Sequence, residues 1–213
     1  PQCPEYTWYV WMALQNYMFI SRLQKIEKTK KHRFRYKIDS KNFPDKKEIW
    51  AIFLSRPCNP TWNVISDQEM EEIYKYVEWT DIPIFIDWAY SPPIPNLSFI
   101  DMKITFHPNV IFCMSFSKAW LPWERIWVAM WDPKYLKVLE AFQANSSIMS
   151  SRFWQSLISS ALDSWELIDI SKNVINPYYK KKFEFINACL DKFMPDDVSW
   201  YLHEGLWSMF SFI

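Results

Sequence analysis

Glycine is almost absent from this chain: one of its 213 residues is glycine, whereas 14 are tryptophan. Glycine ordinarily makes up roughly 7% of a protein, and it supplies backbone with positive φ and loops that approach a phosphate closely. Taken literally, the composition excludes glycine-rich loops. The tryptophans and the glycine together make up about the ordinary share of glycine, roughly 7%, so we interpret many tryptophans as standing at glycine positions.

The positions of the tryptophans support this interpretation. Trp62 follows the turn residues Asn59, Pro60 and Thr61, where a residue without a Cβ fits best. Between residues 118 and 131, four tryptophans surround a proline, which disfavours a helix and favours a glycine-rich loop. A gene whose UGA codons are read as glycine in its host explains the pattern; the alternative is a decayed protein that is truly rich in tryptophan.

Local patterns differ in how well they assign individual tryptophans to glycine. The first group is Trp8, Trp62, Trp120, Trp123, Trp127 and Trp131. A second group has weaker patterns: Trp50, Trp154, Trp165 and Trp207. The remaining four are assigned only by analogy: Trp11, Trp79, Trp88 and Trp200.

Other absences narrow the class of protein. Basic and acidic residues number 24 each, so no net charge attracts the chain to nucleic acid or to a membrane surface. No run approaches the roughly 18 apolar residues of a membrane span, and no signal peptide opens the chain. The cysteines form no CxxC pair, and none of the three histidines has metal-ligand spacing. We expect a cytoplasmic protein with reduced cysteines and no metal site.

Apolar segments of strand length alternate with helical patterns. Residues 50–55, 82–87 and 110–115 are nearly continuous apolar runs, as in strands buried on both faces of a parallel sheet. Ser66 and Glu69 form the sequence of a capping box, followed by apolar residues at helical spacing. Further helices are predicted over 133–143, 147–162 and 174–193. The pattern predicts an α/β fold with a mostly parallel sheet in a three-layer αβα arrangement.

Polar side chains follow each predicted strand. They are Asn59 after the first, Asp87 and Tyr90 after the second, and Ser115, Ser117 and Lys118 after the third. Because ligands of open parallel sheets bind outside the carboxyl ends of the strands, we expect these side chains to converge. The set suits a cofactor that has a ring cation, a phenolic oxygen, a phosphate and an aldehyde.

The motifs at these strand ends resemble those of a known family. Residues 55–64, 86–96 and 115–127 resemble the class I/II aminotransferases of pyridoxal phosphate fold type I. With glycine at 62, 120, 123 and 127, two of the motifs become NPTGN and SFSKAGLPGERIG. The seven-residue interval from Lys118 to Arg125 is similar to that of the valine-pyruvate aminotransferase branch.

The resemblance implies a role for each motif residue. Lys118 would bond covalently to the cofactor aldehyde and then move a proton, and Asp87 would pair with the pyridinium nitrogen. Tyr90 and Asn59 would hydrogen-bond the phenolic oxygen. The phosphate would be held by Ser115, Ser117 and Arg125, and Tyr6 would stack on the ring.

The resemblance also implies an activity and a domain organisation. The expected reaction transfers an amino group between a small aliphatic amino acid, such as valine or alanine, and a 2-oxo acid such as pyruvate, in a homodimer. Residues 1–195 would form part of the cofactor-binding large domain, and residues 196–213 would begin a small domain. We expect an internal fragment that is inactive alone, because the family's upstream phosphate loop and its downstream substrate-binding arginine lie outside it.

Several alternatives stay open. The chain could be the cofactor-binding domain of a transcription regulator, or a carbon-sulfur lyase of the same fold. The basic residues between 25 and 37 could contact nucleic acid, although interspersed acidic residues favour a solvated edge hairpin. Pairing at the surface explains Arg56 as well as a site role does, and structural roles are favoured for His32, His107 and His203.

Overall fold

The computed structural model describes residues 24–59, 61, 63–119, 123, 126–147 and 151–205. Its strands are β1 (Gln24–Lys30), β2 (Arg33–Ile38), β3 (Ile52–Ser55), β4 (Ile84–Asp87), β5 (Val110–Ser115), β6 (Trp127–Met130) and β7 (Leu202–His203). Its α-helices are α1 (Asp67–Val77), α2 (Pro133–Ser147), α3 (Arg152–Asp163), α4 (Glu166–Ile170) and α5 (Asn176–Phe193), with a π-helical segment, Ser171–Ile175, between the last two.

A four-stranded sheet with the order β3-β4-β5-β6 forms the centre of the fold. The first three strands are parallel, and β6 runs antiparallel to β5. Leu54, Ile86 and Phe112 are aligned across the sheet, and the next residues, Ser55, Asp87 and Cys113, are aligned in the same way. Because side chains alternate between the faces of a strand, the two rows lie on opposite faces of the sheet.

One face of this sheet is covered by α1. Met70, Ile73 and Val77 of this helix pack with the row of Leu54, Ile86 and Phe112 in the largest apolar core. The predicted capping box is present: the hydroxyl of Ser66 accepts a hydrogen bond from the N–H of Glu69, whose carboxylate in turn accepts one from the N–H of Ser66. The α/β class and the mostly parallel sheet are confirmed.

A smaller sheet has the order β1-β2-β7. β1 and β2 form the antiparallel hairpin predicted for the basic segment, and Glu27 of the hairpin pairs with Lys37 and Arg35. β7 runs parallel to β2. A strand from the predicted second domain therefore pairs with a strand from the predicted first domain.

The prediction of a glycine-rich loop over 118–131 is wrong for its last part. Residues Trp127–Met130 form β6, in which Trp127 is aligned with Ser115 of β5. Proline and charged residues marked the loop in the sequence, but the four residues after Ile126 are apolar and extend the sheet by one strand. β6 is thus the edge strand of the described sheet, and it pairs with β5, the strand that precedes Lys118.

Among the described tryptophans, two adopt a left-handed backbone conformation. Trp79, two residues after the end of α1, has φ 61°, and Trp165, two residues after the end of α3, also has φ 61°. Their side chains are 94% and 65% exposed. Both tryptophans therefore lie where a helix most often ends in glycine.

The described cysteines Cys58, Cys113 and Cys189 are not in disulfides, and Cys3 lies outside the described residues. None of the helices in the described ranges is both long enough and apolar enough to cross a membrane.

Candidate functional site

Three neighbouring strands end at one edge of the central sheet. Asp87 and Ser115 are the last residues of β4 and β5, and Asn59 follows β3 by four residues. Because β3, β4 and β5 are parallel and in register, their carboxyl ends lie side by side. The structure therefore brings the predicted site residues of these strands to the same edge.

Asp87 provides a half-buried carboxylate. One of its oxygens accepts a hydrogen bond from the N–H of Ala89 at 3.0 Å. Burial raises the pKa of Asp87, and the hydrogen bond from Ala89 offsets only part of this effect. A carboxyl group whose charged form is disfavoured in this way is poised to pair with a cation placed beside it.

Cys113 is aligned with Asp87 on the neighbouring strand and lies on the same face of the sheet. Burial, with a smaller contribution from the charge of Asp87, raises the pKa of its thiol to about 11. The thiol is therefore neutral at physiological pH and adds no charge beside the carboxylate. The sequence analysis did not identify Cys113 as a neighbour of Asp87. Once the register of the two parallel strands is given, counting back two residues from Ser115 places Cys113 beside Asp87.

Tyr90 and Asn59 form the second part of the site. The amide nitrogen of Asn59 donates to the phenolic oxygen of Tyr90 at 3.4 Å. The ring of Tyr90 is buried with Val64 and Leu97 in a separate apolar cluster. The phenol is thus held from one side by packing and from the other by an amide from the next strand end.

Lys118 is the last residue of a short 3-10 turn, Phe116–Lys118, that follows β5. The hydroxyl of Ser115 accepts a hydrogen bond from the N–H of Ser117 at 3.2 Å and so caps the turn. The ammonium group of Lys118 lies 5.6 Å from the ring centroid of Tyr90, within range of a cation-π interaction. The exposed amine therefore faces the same tyrosine as Asn59 does.

The structure thus brings together six of the eight predicted site residues at one edge of the sheet: Asn59, Asp87, Tyr90, Ser115, Ser117 and Lys118. The other two, Tyr6 and Arg125, lie outside the described residues. Their roles in stacking and phosphate binding stay predictions.

Of the two explanations left open for Arg56, pairing at the surface is wrong, because the residue is 1% exposed. Its guanidinium donates to the carbonyl oxygens of Ile65 (2.6 Å) and Lys103 (3.1 Å) and to the carboxylate of Asp67. Partial burial raises the pKa of Asp67, but the hydrogen bonds from Arg56 and from the N–H of Lys103 outweigh it, so the net pKa is lowered. Arg56 therefore links the end of β3 to residues 65–67 and to Lys103.

The three histidines make packing contacts away from the site. His32 stacks on Trp200, and His107 stacks on Tyr74. His203 stacks on Tyr36 and is almost fully buried. Within the described ranges, no group of three or more histidine, cysteine, aspartate or glutamate residues is placed to hold a metal ion.

Comparison with known proteins connects this geometry with one family. The family model described as aminotransferase class I and II matches residues 8–194. Among curated proteins, valine-pyruvate aminotransferase from Escherichia coli (strain K12) is 28% identical over 197 residues, which are 92% of this chain and 47% of that protein. The chain thus spans about half the length of this relative.

Two solved structures illustrate the structural match. Valine-pyruvate aminotransferase from Salmonella typhimurium LT2 has a TM-score of 0.80 and 26% identity, over 87% of this chain and 47% of that chain. A PLP-bound protein from Clostridium difficile 630, described as an aminotransferase, has a TM-score of 0.68 and 17% identity, over 97% of this chain and 53% of that chain. The second match supports the fold alone.

Proposed function

Because the chain belongs to the class I and II aminotransferases, we propose that it carries a pyridoxal phosphate site whose covalent anchor is Lys118. The observation that carries the proposal is the convergence of an amine, a half-buried carboxylate and a phenol hydrogen-bonded to an amide at the ends of three parallel strands. These are the groups that an aldehyde, a ring nitrogen and a phenolic oxygen require.

The residues present fit this cofactor chemically. Asp87, whose ionised form is disfavoured by burial, gains a compensating cation if it accepts the N–H of a protonated pyridine ring. Tyr90 and Asn59 supply an O–H and an N–H for the ring's phenolic oxygen. Ser115 and Ser117 lie on or directly before the turn that contains Lys118, and each contributes a hydroxyl of the kind that donates to a phosphate.

When bound, the cofactor supplies an electron sink that withdraws charge from the substrate Cα. This chain's own part in the reaction is the movement of a proton at that carbon. The amine of Lys118 is the group we assign to it, since the 3-10 turn holds this amine beside Tyr90 rather than against the sheet. Asp87 keeps the ring nitrogen protonated, and Tyr90 orients the ring.

For the substrates, we propose a small aliphatic amino acid such as valine or alanine and a 2-oxo acid such as pyruvate. The support is the 28% identity to the valine-pyruvate aminotransferase of Escherichia coli. We also propose that the complete protein works as a homodimer in the cytoplasm.

The test is amino transfer by the complete protein that contains this chain. With valine and pyruvate, and with pyridoxal phosphate present, we expect Lys118→Ala to lower kcat at least about a hundredfold, because it removes the proton-transfer group. Lys75→Ala is the matched control, since its side chain is exposed and lies on α1, which covers the face of the sheet opposite Asp87. Full activity of Lys118→Ala would overturn the proposal, and elimination of sulfur from a cysteine derivative without amino transfer would favour the lyase.

A further inference from the structure

Tyr90 begins a loop that folds back on itself. The N–H of Leu97 donates to the carbonyl oxygen of Tyr90 at 2.9 Å, and the N–H of Asn96 donates to that of Ser91 at 3.3 Å. Asn96 has φ 58°, a left-handed conformation that asparagine tolerates better than most residues. These two hydrogen bonds close residues 90–97 into a compact loop whose first residue is the site tyrosine.

Asn176, the first residue of α5, fastens this loop from outside. Its amide nitrogen donates to the carbonyl oxygen of Asn96 at 2.7 Å and to that of Ser98 at 2.6 Å. Both N–H bonds of the amide are thereby used on one loop, about 80 residues away in sequence. The two bonds fix the backbone on each side of Leu97.

Packing extends the same contact. Val64, Tyr90 and Leu97 form a buried apolar cluster, against which Ile175 and Tyr179 pack. Ile175 is the last residue of the π-helical segment and Tyr179 lies one turn into α5. A π-helical turn holds one more residue than an α-helical turn, and such turns are frequent at functional sites. The start of α5 is thus joined to Tyr90 by apolar contacts as well as by hydrogen bonds.

We infer that Asn176 is a positioning residue: by fastening the 90–98 loop to the start of α5, it holds the phenol of Tyr90 where a ring oxygen is to be bound. The inference rests on the proposed function, in which Tyr90 binds the phenolic oxygen of pyridoxal phosphate. It predicts that Asn176 affects the cofactor only through Tyr90, although it lies on a different element from the other site residues.

The first measurement needs no cofactor. In the complete protein without pyridoxal phosphate, Asn176→Ala should speed hydrogen exchange of the amides of Asn96 and Leu97 about tenfold, since two hydrogen bonds to the loop are lost. Asn176→Asp, which keeps the size of the side chain but replaces its two N–H donors with an oxygen, should do the same. Asn187→Ala is the matched control, because Asn187 lies on the same helix and its amide donates within α5, to Phe183.

The second measurement follows the absorbance of bound pyridoxal phosphate as a function of pH. A hydrogen bond donated to the phenolic oxygen of the cofactor stabilises its negative charge. Without that bond, in Tyr90→Phe, the bound cofactor should lose its proton at a higher pH, which raises the midpoint of the absorbance titration. Asn176→Ala should shift this pH in the same direction by a smaller amount. In a Tyr90→Phe background, Asn176→Ala should cause no further shift, because the group through which it acts has gone.

The outcomes separate the two proposals. Unchanged hydrogen exchange in Asn176→Ala, or an equal shift with and without the tyrosine hydroxyl, overturns the positioning role. Failure of the unmutated protein to bind pyridoxal phosphate overturns the proposed function instead, and faster hydrogen exchange in that protein's Asn176→Ala variant would still support the fastening of the loop.

Discussion

At the scale of single residues, three of the described tryptophans represent two classes that differ in backbone conformation and burial. Trp79 and Trp165 have positive φ and exposed side chains just after a helix. Trp88 is the opposite case: it is 1% exposed, its indole N–H donates to the carbonyl oxygen of Pro92 at 2.6 Å, and it packs edge-on against Phe112. The first class suits glycine, whereas the second is integrated as a large aromatic residue.

This difference predicts opposite effects of the same substitution. Trp79→Gly should raise the free energy of unfolding by about 1 kcal/mol, because a left-handed conformation costs a residue with a Cβ roughly that much. Trp88→Gly, the matched comparison, should lower it by at least about 3 kcal/mol through loss of a buried aromatic side chain. Urea unfolding of the complete protein measures both. Destabilisation by Trp79→Gly would show that its exposed indole contributes to the fold.

Some site residues could be predicted individually and others could not. Asp87 and Ser115 were found because each comes directly after an apolar run, and position at a strand end is visible in the sequence. The burial of Arg56 was not, since its partners are two backbone carbonyl oxygens and a helix carboxylate that only the folded chain brings together. Asn176 was missed for the same reason.

At the scale of elements, the helices and strands that could be predicted from the sequence are those marked by local signals. The capping box placed the start of α1 at the right residue, because its hydrogen bonds connect residues three apart. β6 was not predicted, because it is only four residues long and, among the described strands, pairs with β5 alone, so its sequence carries little local strand pattern.

A buried histidine in the small sheet makes the stability of the folded protein depend on pH. His203 of β7 is 2% exposed and lies between the aromatic rings of Phe34 and Tyr36. Its Nε2 accepts a hydrogen bond from the N–H of Tyr36 at 3.4 Å. Burial lowers its pKa to about 4, and the positive charge of Arg35 acts in the same direction.

Because the folded pKa lies below the ordinary value of 6.5, the unfolded chain binds more protons between these two values, and stability falls as pH falls through this range. We expect the free energy of unfolding to drop by about 2 kcal/mol from pH 7.5 to pH 5 through this residue. His203→Phe should abolish that part of the pH dependence, whereas His107→Phe should retain it. Identical pH dependence of the protein and its His203→Phe variant would contradict the assignment.

At the scale of the whole molecule, the described chain holds one edge of a parallel sheet where three strand ends meet. The fold class was predictable from sequence because apolar runs and helical patterns alternate along most of the chain. The pairing of β7 with β2 was not, since it joins residues about 170 apart. The chain spans about half the length of the curated relative described above, so activity has to be tested on the complete protein.

The most direct test of the account is the mass of one peptide from the complete protein, purified from its native host. The protein is saturated with pyridoxal phosphate, reduced with borohydride and digested with trypsin, and the peptide spanning residues 104–125 is weighed. We predict a phosphopyridoxyl group on Lys118, which also blocks cleavage there, and glycine at positions 120 and 123. An unmodified Lys118, which trypsin would cleave to give peptides 104–118 and 119–125, together with tryptophan at both positions would contradict both the cofactor site and the glycine interpretation.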